Sequence, residues 1–260
     1  MTIPLYQLDA FASKMFSGNP AGVCPLLEWP DDGLMQAIAA ENNLSETAFF
    51  TGKGGRYRLR WFAPLAEVDM CGHATLATAW VILHHLEPKL EYAEFETRSG
   101  LLRVERAGAQ LKMFLPQFSM QRRPAPPALS RGLPVEILEV YESIDYVAVC
   151  ENASAVYGLK PNQEQLKLLD LRGVAVTARG DDCDLVCRVF GPKIGVPEDP
   201  VTGSAYCYLA PYWASRMNKT RLRARQLSSR GAELECEVLE DGKVALYGRC
   251  VEYMRGELLL

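Results

Sequence analysis

Arg60-Trp61-Phe62-Ala63-Pro64 followed by Cys71-Gly72-His73-Ala74 is repeated as Arg188-Val189-Phe190-Gly191-Pro192 followed by Thr202-Gly203-Ser204-Ala205. The Arg-x-Phe-x-Pro segments lie 128 residues apart (60 to 188) and the glycines 131 apart (72 to 203), about half of a 260-residue chain. A third pair, Ser99-Gly100-Leu101 and Arg230-Gly231-Ala232, keeps the 131 offset and so confines the three extra residues to the stretch between Pro192 and Gly203. Order and offset preserved together indicate two similar halves rather than one large domain.

Each glycine precedes a run without ionised side chains, 74–83 and 205–214, the pattern of a helix buried on every face. The first turn of such a helix offers unpaired N–H groups and the positive end of its dipole. Two of them meeting in a cleft between the halves are expected to hold a carboxylate. Pro211 interrupts the second helix and removes one of its hydrogen bonds.

The remaining pattern is mostly strand. Leu5 to Phe11 alternates, Gly18 to Gly22 reads as a turn-rich loop, and Asp31 or Asp32 caps a helix running to about Asn42. Tyr57, Leu59 and Trp61 alternate with three arginines as a strand with one wet face, and Leu101–Val104 with Leu111–Leu115 suit an antiparallel ribbon. In the second half, strands are expected at Tyr146–Cys150, Val174–Thr177, Leu185–Phe190 and Leu234–Val238, with a helix over Asn162–Leu171. The fold class is therefore α+β: two similar domains, each a mainly antiparallel sheet or barrel around a central buried helix. The boundary is placed as 1–117 and 118–260, near the Pro-rich stretch Gln121–Pro127.

A formal charge of −4 and short basic runs argue against nucleic acid. No apolar stretch approaches the roughly 18 residues of a membrane span, and the N-terminus lacks a leader pattern, so a cytoplasmic protein without membrane association is expected. Eight scattered cysteines contain no Cys-x-x-Cys pair, and Cys183 with Cys187 lacks further ligands. Buried thiols acting as small hydrophobes are expected everywhere except Cys71, and no metal site is expected.

Glu46, in Asn43-Leu44-Ser45-Glu46-Thr47-Ala48-Phe49-Phe50, either completes a capping box with Asn43 or serves chemistry; the strand-like residues after it leave the box no helix to open. Desolvation beside Phe49 and Phe50 is expected to raise its pKa, suiting a group that both accepts and donates a proton. His73 follows Gly72 at a helix start, and the repeat places Ser204 at the equivalent position. His84 and His85, at the far end of that helix, read as cationic caps or surface groups. Glu67 and Asp69 read as acids complementing a helix N-terminus, whereas Asp199 carries more weight because Pro200 fixes the chain after it. Cys71 sits where a thiol pKa falls, but its repeat partner is Thr202, so a symmetrical two-thiol racemase is disfavoured.

These stretches, together with Asp9-Ala10-Phe11, Gly18-Asn19-Pro20-Ala21-Gly22-Val23 and Glu198-Asp199-Pro200-Val201-Thr202-Gly203-Ser204-Ala205, resemble the PhzF-like (phenazine-biosynthesis isomerase) family within the diaminopimelate-epimerase-like fold. The resemblance implies a homodimer without cofactor or metal, whose last strand returns to the first domain. It assigns the catalytic proton shuttle to Glu46, substrate contacts to His73, Asp199 and Ser204, and a carboxylate cradle to Gly72 and Gly203. Cys71, Thr202 and Asn19 are secondary candidates. Cys71 is closer to the broader epimerase relatives, and the chain looks short for the family. The function this implies is a cofactor-independent isomerase of a small carboxylate-bearing metabolite. The rivals are a Cys71-dependent racemase or epimerase of an amino or hydroxy acid, and a non-catalytic binding protein.

Overall fold

The computed structural model describes residues 2–260 and divides into two compact units. Unit 1 holds the chain up to Leu115 together with Ala245–Leu260, and unit 2 holds Pro116–Val244. The division thus falls two residues before the expected boundary, and the C-terminal segment belongs with unit 1 rather than with the second half. The Pro-rich stretch lies inside unit 2: Gln121–Arg122 forms a short edge strand, and Pro127 opens a helix at the position where its missing N–H costs nothing.

In unit 1 the chain runs β1 (Thr2–Ala10), β2 (Asn19–Pro25), α1 (Asp32–Asn42), β3 (Glu46–Lys53), β4 (Arg56–Phe62), β5 (Glu67–Val68), α2 (Gly72–Val81), β6 (Tyr92–Thr97), β7 (Gly100–Ala107) and β8 (Gln110–Pro116). β2 pairs in parallel with β3, and β4 in parallel with β6, while β1–β2, β3–β4, β6–β7 and β7–β8 are antiparallel. A parallel pair needs a long crossover, and α1 and α2 are those crossovers. Residues 19–22 are strand rather than the expected loop, because β2 lies between β1 and β3. Its small residues serve close approach: a Cβ on Gly22 would meet the Thr47 side chain at 3.1 Å.

Asp31 caps α1 through Gly33 N–H at 2.8 Å, and Asn43 ends it in the left-handed region at φ 48°. The buried face of Met35, Ile38 and Ala39 packs with Ile3, Leu5, Cys24, Phe49 and Phe62. Full burial of Met35 or Ile38 contributes roughly 1.5–3 kcal/mol each. α2 is buried at every residue from Gly72 to Ala79, as its charge-free sequence requires.

Unit 2 repeats the order after its edge strand β9 (Gln121–Arg122) and α3 (Pro127–Gly132): β10 (Glu139–Glu142), β11 (Tyr146–Val149), the short helices α4 (Ala153–Tyr157) and α5 (Gln163–Leu166), β12 (Val174–Arg179), β13 (Leu185–Gly191), β14 (Val196–Asp199), α6 (Tyr206–Met217), β15 (Arg221–Gln226) and β16 (Ala232–Val238), after which β17 (Lys243–Gly248) starts at the end of unit 2 and carries the chain back into unit 1. β11–β12 and β13–β15 are its parallel pairs, matching β2–β3 and β4–β6. The helix expected over 162–171 stops after Leu166, and Lys193 Nζ donates to the carbonyls of Leu169 and Asp170 at 2.9 and 2.8 Å. β18 (Cys250–Leu259) pairs antiparallel along β1 within unit 1.

The repeated motifs acquire physical meaning here. Arg60 of β4 holds Glu67 through two bonds of 2.7 and 2.9 Å, and Arg188 of β13 holds Glu198 identically. Glu67 is therefore a strand-pairing acid, also reached by Arg98 at 2.7 Å, rather than a helix complement. The three extra residues fall in the stretch that the tight turn Pro192–Ile194 opens. Gly100 and Gly231, at φ 94° and 68°, make the turns into β7 and β16. Pro211 leaves the Cys207 carbonyl without its helical donor, and Phe118 N–H fills it at 2.9 Å, docking the start of unit 2 on its own central helix.

Candidate active site

In unit 1, β3 begins at Glu46, β2 at Asn19, and α2 at Gly72 with Cys71 as its N-cap. Ala21 of β2 is in register with Glu46, which sets the carboxyl beside the α2 start. Glu46 opens a strand, so the capping-box alternative fails. Cys71 is extended (φ −142°) and its thiol makes no cap bond, while its carbonyl accepts from Thr75 Oγ1 at 2.6 Å. The thiol lies instead beside the His73 ring.

His73 Nε2 lies 3.1 Å from Glu46 Oε2, Cys71 Sγ lies 3.5 Å from His73 Nδ1, and Asn19 Nδ2 lies 3.2 Å from the same Nδ1. Asn19, Cys71 and His73 are buried, and the Glu46 side chain is 19% exposed. With the Asn19 amide donating to Nδ1, Nε2 carries a proton on the Glu46 side; a doubly protonated ring does the same. The Nε2 approach is close but off-line, so Oε2 is buried without a well-aligned hydrogen bond from the protein.

Burial raises the Glu46 pKa, but attraction to the His73 ring, contact with its N–H and a hydrogen bond with Cys71 lower it by more. The net is a carboxyl below its ordinary value, the reverse of the expected shift. Phe49 packs instead in the core under α1 and Phe50 against Tyr57, and the ring placed against the carboxylate by α2 outweighs the burial. The surroundings of Glu46 thus favour its ionised form.

The sign gives a pH expectation. A depressed folded-state pKa contributes stability above the unfolded carboxylate value and loses it as pH falls through the folded value. His73→Asn removes the attraction and leaves only Cys71 against the effect of burial, so the acid limb of the activity profile should move to higher pH than in the parent. Rate profiles of both proteins check this, and coincident acid limbs would refute the His73 contribution.

In unit 2, Thr202 precedes a single tight turn, Gly203–Ala205, that runs into α6. Thr202 Oγ1 donates to Asp199 Oδ2 at 2.6 Å, and the buried Gln226 accepts from Thr202 N–H at 3.0 Å while donating to the Asp199 carbonyl at 2.8 Å. Ser204 Oγ accepts from Arg172 Nη2 at 2.7 Å. Arg172 also clasps buried Asp145 through bonds of 2.6 and 2.8 Å, and Tyr208 Oη donates to the same carboxylate at 2.7 Å. Burial lowers the Arg172 pKa, but the bonds and charge of Asp145 raise it further, keeping the guanidinium charged.

Asn19, Glu46, Cys71 and His73 are brought together in unit 1, and Asp199, Thr202, Gly203 and Ser204 in unit 2. Sequence reasoning missed Arg172, Asp145, Tyr208 and Gln226. At the far end of α2, His84 Nδ1 bonds the Trp80 carbonyl at 2.9 Å and His85 pairs with Glu252, both outside this cluster.

A family model described as phenazine biosynthesis-like protein matches residues 8–256. The chain is 50% identical over 260 residues to an uncharacterized isomerase of Pseudomonas aeruginosa, with all of both chains covered, so it is not short against that relative. The crystal structure of a PhzF-family phenazine biosynthesis protein from Enterococcus faecalis superposes with a TM-score of 0.96 at 43% identity, covering 100% of each chain. A hydroxyproline epimerase from Agrobacterium vitis shares the fold alone, with a TM-score of 0.64 at 9% identity over 99% of this chain and 92% of that one. No helix among the described residues is long and apolar enough to cross a membrane. The repeat, the paired parallel crossovers and these likenesses agree: the chain belongs to the PhzC-PhzF, phenazine biosynthesis-like family of isomerase type, on the epimerase-like α+β fold.

Proposed function

We propose that this protein moves a proton within a small carboxylate-bearing metabolite, with Glu46 as the group that carries it. The observation behind this reading is the buried Glu46 Oε2, 3.1 Å from His73 Nε2 and without an aligned protein hydrogen bond. The ionised carboxylate takes a proton from a substrate carbon, and the electron pair left behind spreads into the conjugated substrate. Glu46, now neutral, gives the proton to another carbon and regains its charge. No electrons enter or leave, so the step can run on side chains alone. His73 steadies the charged form of Glu46, and the N–H groups at the start of α2, from Gly72 onward, suit the substrate carboxylate. Asp199, Ser204 and the Gly203 backbone are proposed as further substrate contacts.

The reading is tested by incubating the protein in deuterated water with a panel of small unsaturated and α-hydrogen carboxylates, following double-bond position and isotope content by NMR. Isomerisation of a panel member supports it, and binding without turnover or exchange would favour a non-catalytic role.

A second reading, a Cys71-dependent racemase, is favoured by the 3.5 Å approach of Sγ to His73. Thr202 stands at the equivalent place in unit 2, and a hydroxyl is too weak an acid to act as the second base. Cys71→Ser is therefore expected to change turnover by less than about tenfold, or roughly 1.4 kcal/mol of barrier. A folded, ligand-binding Cys71→Ser protein with almost no activity would make the racemase the better account.

A further inference from the structure

We infer that Glu46, Cys71 and His73 form a binding site for one thiophilic divalent ion of the zinc class, and that the ion, once bound, blocks the base of this site. Their ligand atoms all lie within 4.8 Å of one another, the single group of three such side chains found among the described residues. His73 Nε2 is 3.1 Å from Glu46 Oε2 and 4.0 Å from Cys71 Sγ. A tetrahedral zinc with bonds of about 2.0 Å to nitrogen and oxygen and about 2.3 Å to sulfur wants its ligand atoms roughly 3.3–3.6 Å apart. Side-chain shifts of roughly 1 Å, shared between the ligands, meet that requirement. Thiolate, imidazole and carboxylate together select zinc or cobalt over magnesium or calcium, which prefer oxygen alone.

The surroundings supply what a metal-binding histidine needs. Asn19, fully buried, holds Nδ1 at 3.2 Å and so fixes the ring while Nε2 faces Glu46, with Cys71 Sγ beside the ring at 3.5 Å from Nδ1 and 4.0 Å from Nε2. Metal on Nε2 leaves the proton on Nδ1, which the Asn19 amide receives by presenting its oxygen. The Cys71 thiol gives up its proton on binding, and His73 must be neutral, so affinity rises with pH. Three protein ligands leave a fourth position for water or a ligand carboxylate. The ion occupies the carboxylate that would take a proton, which makes it an inhibitor rather than a cofactor. Only that inhibition rests on the proton-shuttle reading; binding itself does not.

The test is a Co²⁺ titration of the resting full-length protein, without substrate, read by absorption. One equivalent should give the intense visible bands of a four-coordinate ion and a sulfur-to-cobalt charge-transfer band. Cys71→Ala should abolish the charge-transfer band and weaken binding at least about a hundredfold, and Asn19→Ala should weaken it about tenfold or more. Cys183→Ala, at a half-buried thiol outside the cluster, should change nothing. If Cys71→Ala does not fold, Co²⁺ should instead protect Cys71 of the parent from alkylation, read by peptide mapping. Absence of the bands, their survival in folded Cys71→Ala, their loss in Cys183→Ala, or unprotected Cys71 would overturn the proposal. Bands that form while substrate turnover continues at the metal-free rate would keep the site and remove Glu46 as the shuttle.

Discussion

Glu46→Gln is expected to keep ligand binding near the parental value and to lower turnover by about a hundred- to ten-thousand-fold, the usual cost of removing a positioned acid–base group. The amide matches the carboxyl in shape, so the packing of β3 and the neighbouring α2 start is retained. It has no site that takes a proton from carbon and returns it. The charge it removes is also the one His73 faces at 3.1 Å, so the contact between the two side chains loses its ionic part. Steady-state rates and ligand titration on the same preparation separate the two effects. Weakened binding with unchanged turnover would mean that Glu46 holds the ligand rather than reacting with it.

Asp145→Ala should be the most destabilising single change in unit 2. Asp145 is 1% exposed and accepts three bonds, two from Arg172 and one from Tyr208, whose hydroxyl is itself buried. Removing the carboxylate leaves a guanidinium and a phenol without their acceptor. Breaking one side of a buried ion pair costs about 3–5 kcal/mol, and the partial exposure of Arg172 places this case at about 3 kcal/mol. Urea unfolding measures it, and a change below about 1 kcal/mol would show that solvent replaces the lost carboxylate. The loosened Arg172 should also release Ser204 Oγ.

The fold was legible because its signals are local or periodic. The Arg-x-Phe-x-Pro strands and the glycines at 72 and 203 carry the repeat, and two charge-free runs mark helices that have no wet face. The structure gives the repeat a physical basis in the Arg60–Glu67 and Arg188–Glu198 pairs. Where partners are distant in sequence, legibility ends. Gly18 to Gly22 looks like a loop until β1 and β3 enclose it. Arg172 and Asp145 are single charged residues in ordinary contexts, and only the register of unit 2 joins them. The Glu46 shift shows the same limit: the apolar run after it signalled burial, although Phe49 and Phe50 pack elsewhere, whereas the opposing ring arrives on another element.

The central claim is that the Glu46 carboxylate carries the proton. The most direct measurement follows a substrate from the carboxylate panel in deuterated water, comparing its rate of isomerisation and of deuterium uptake with the parent protein and with folded Glu46→Gln. The account predicts loss of both by at least about a hundredfold in the variant. Parental rates of both in Glu46→Gln would contradict it.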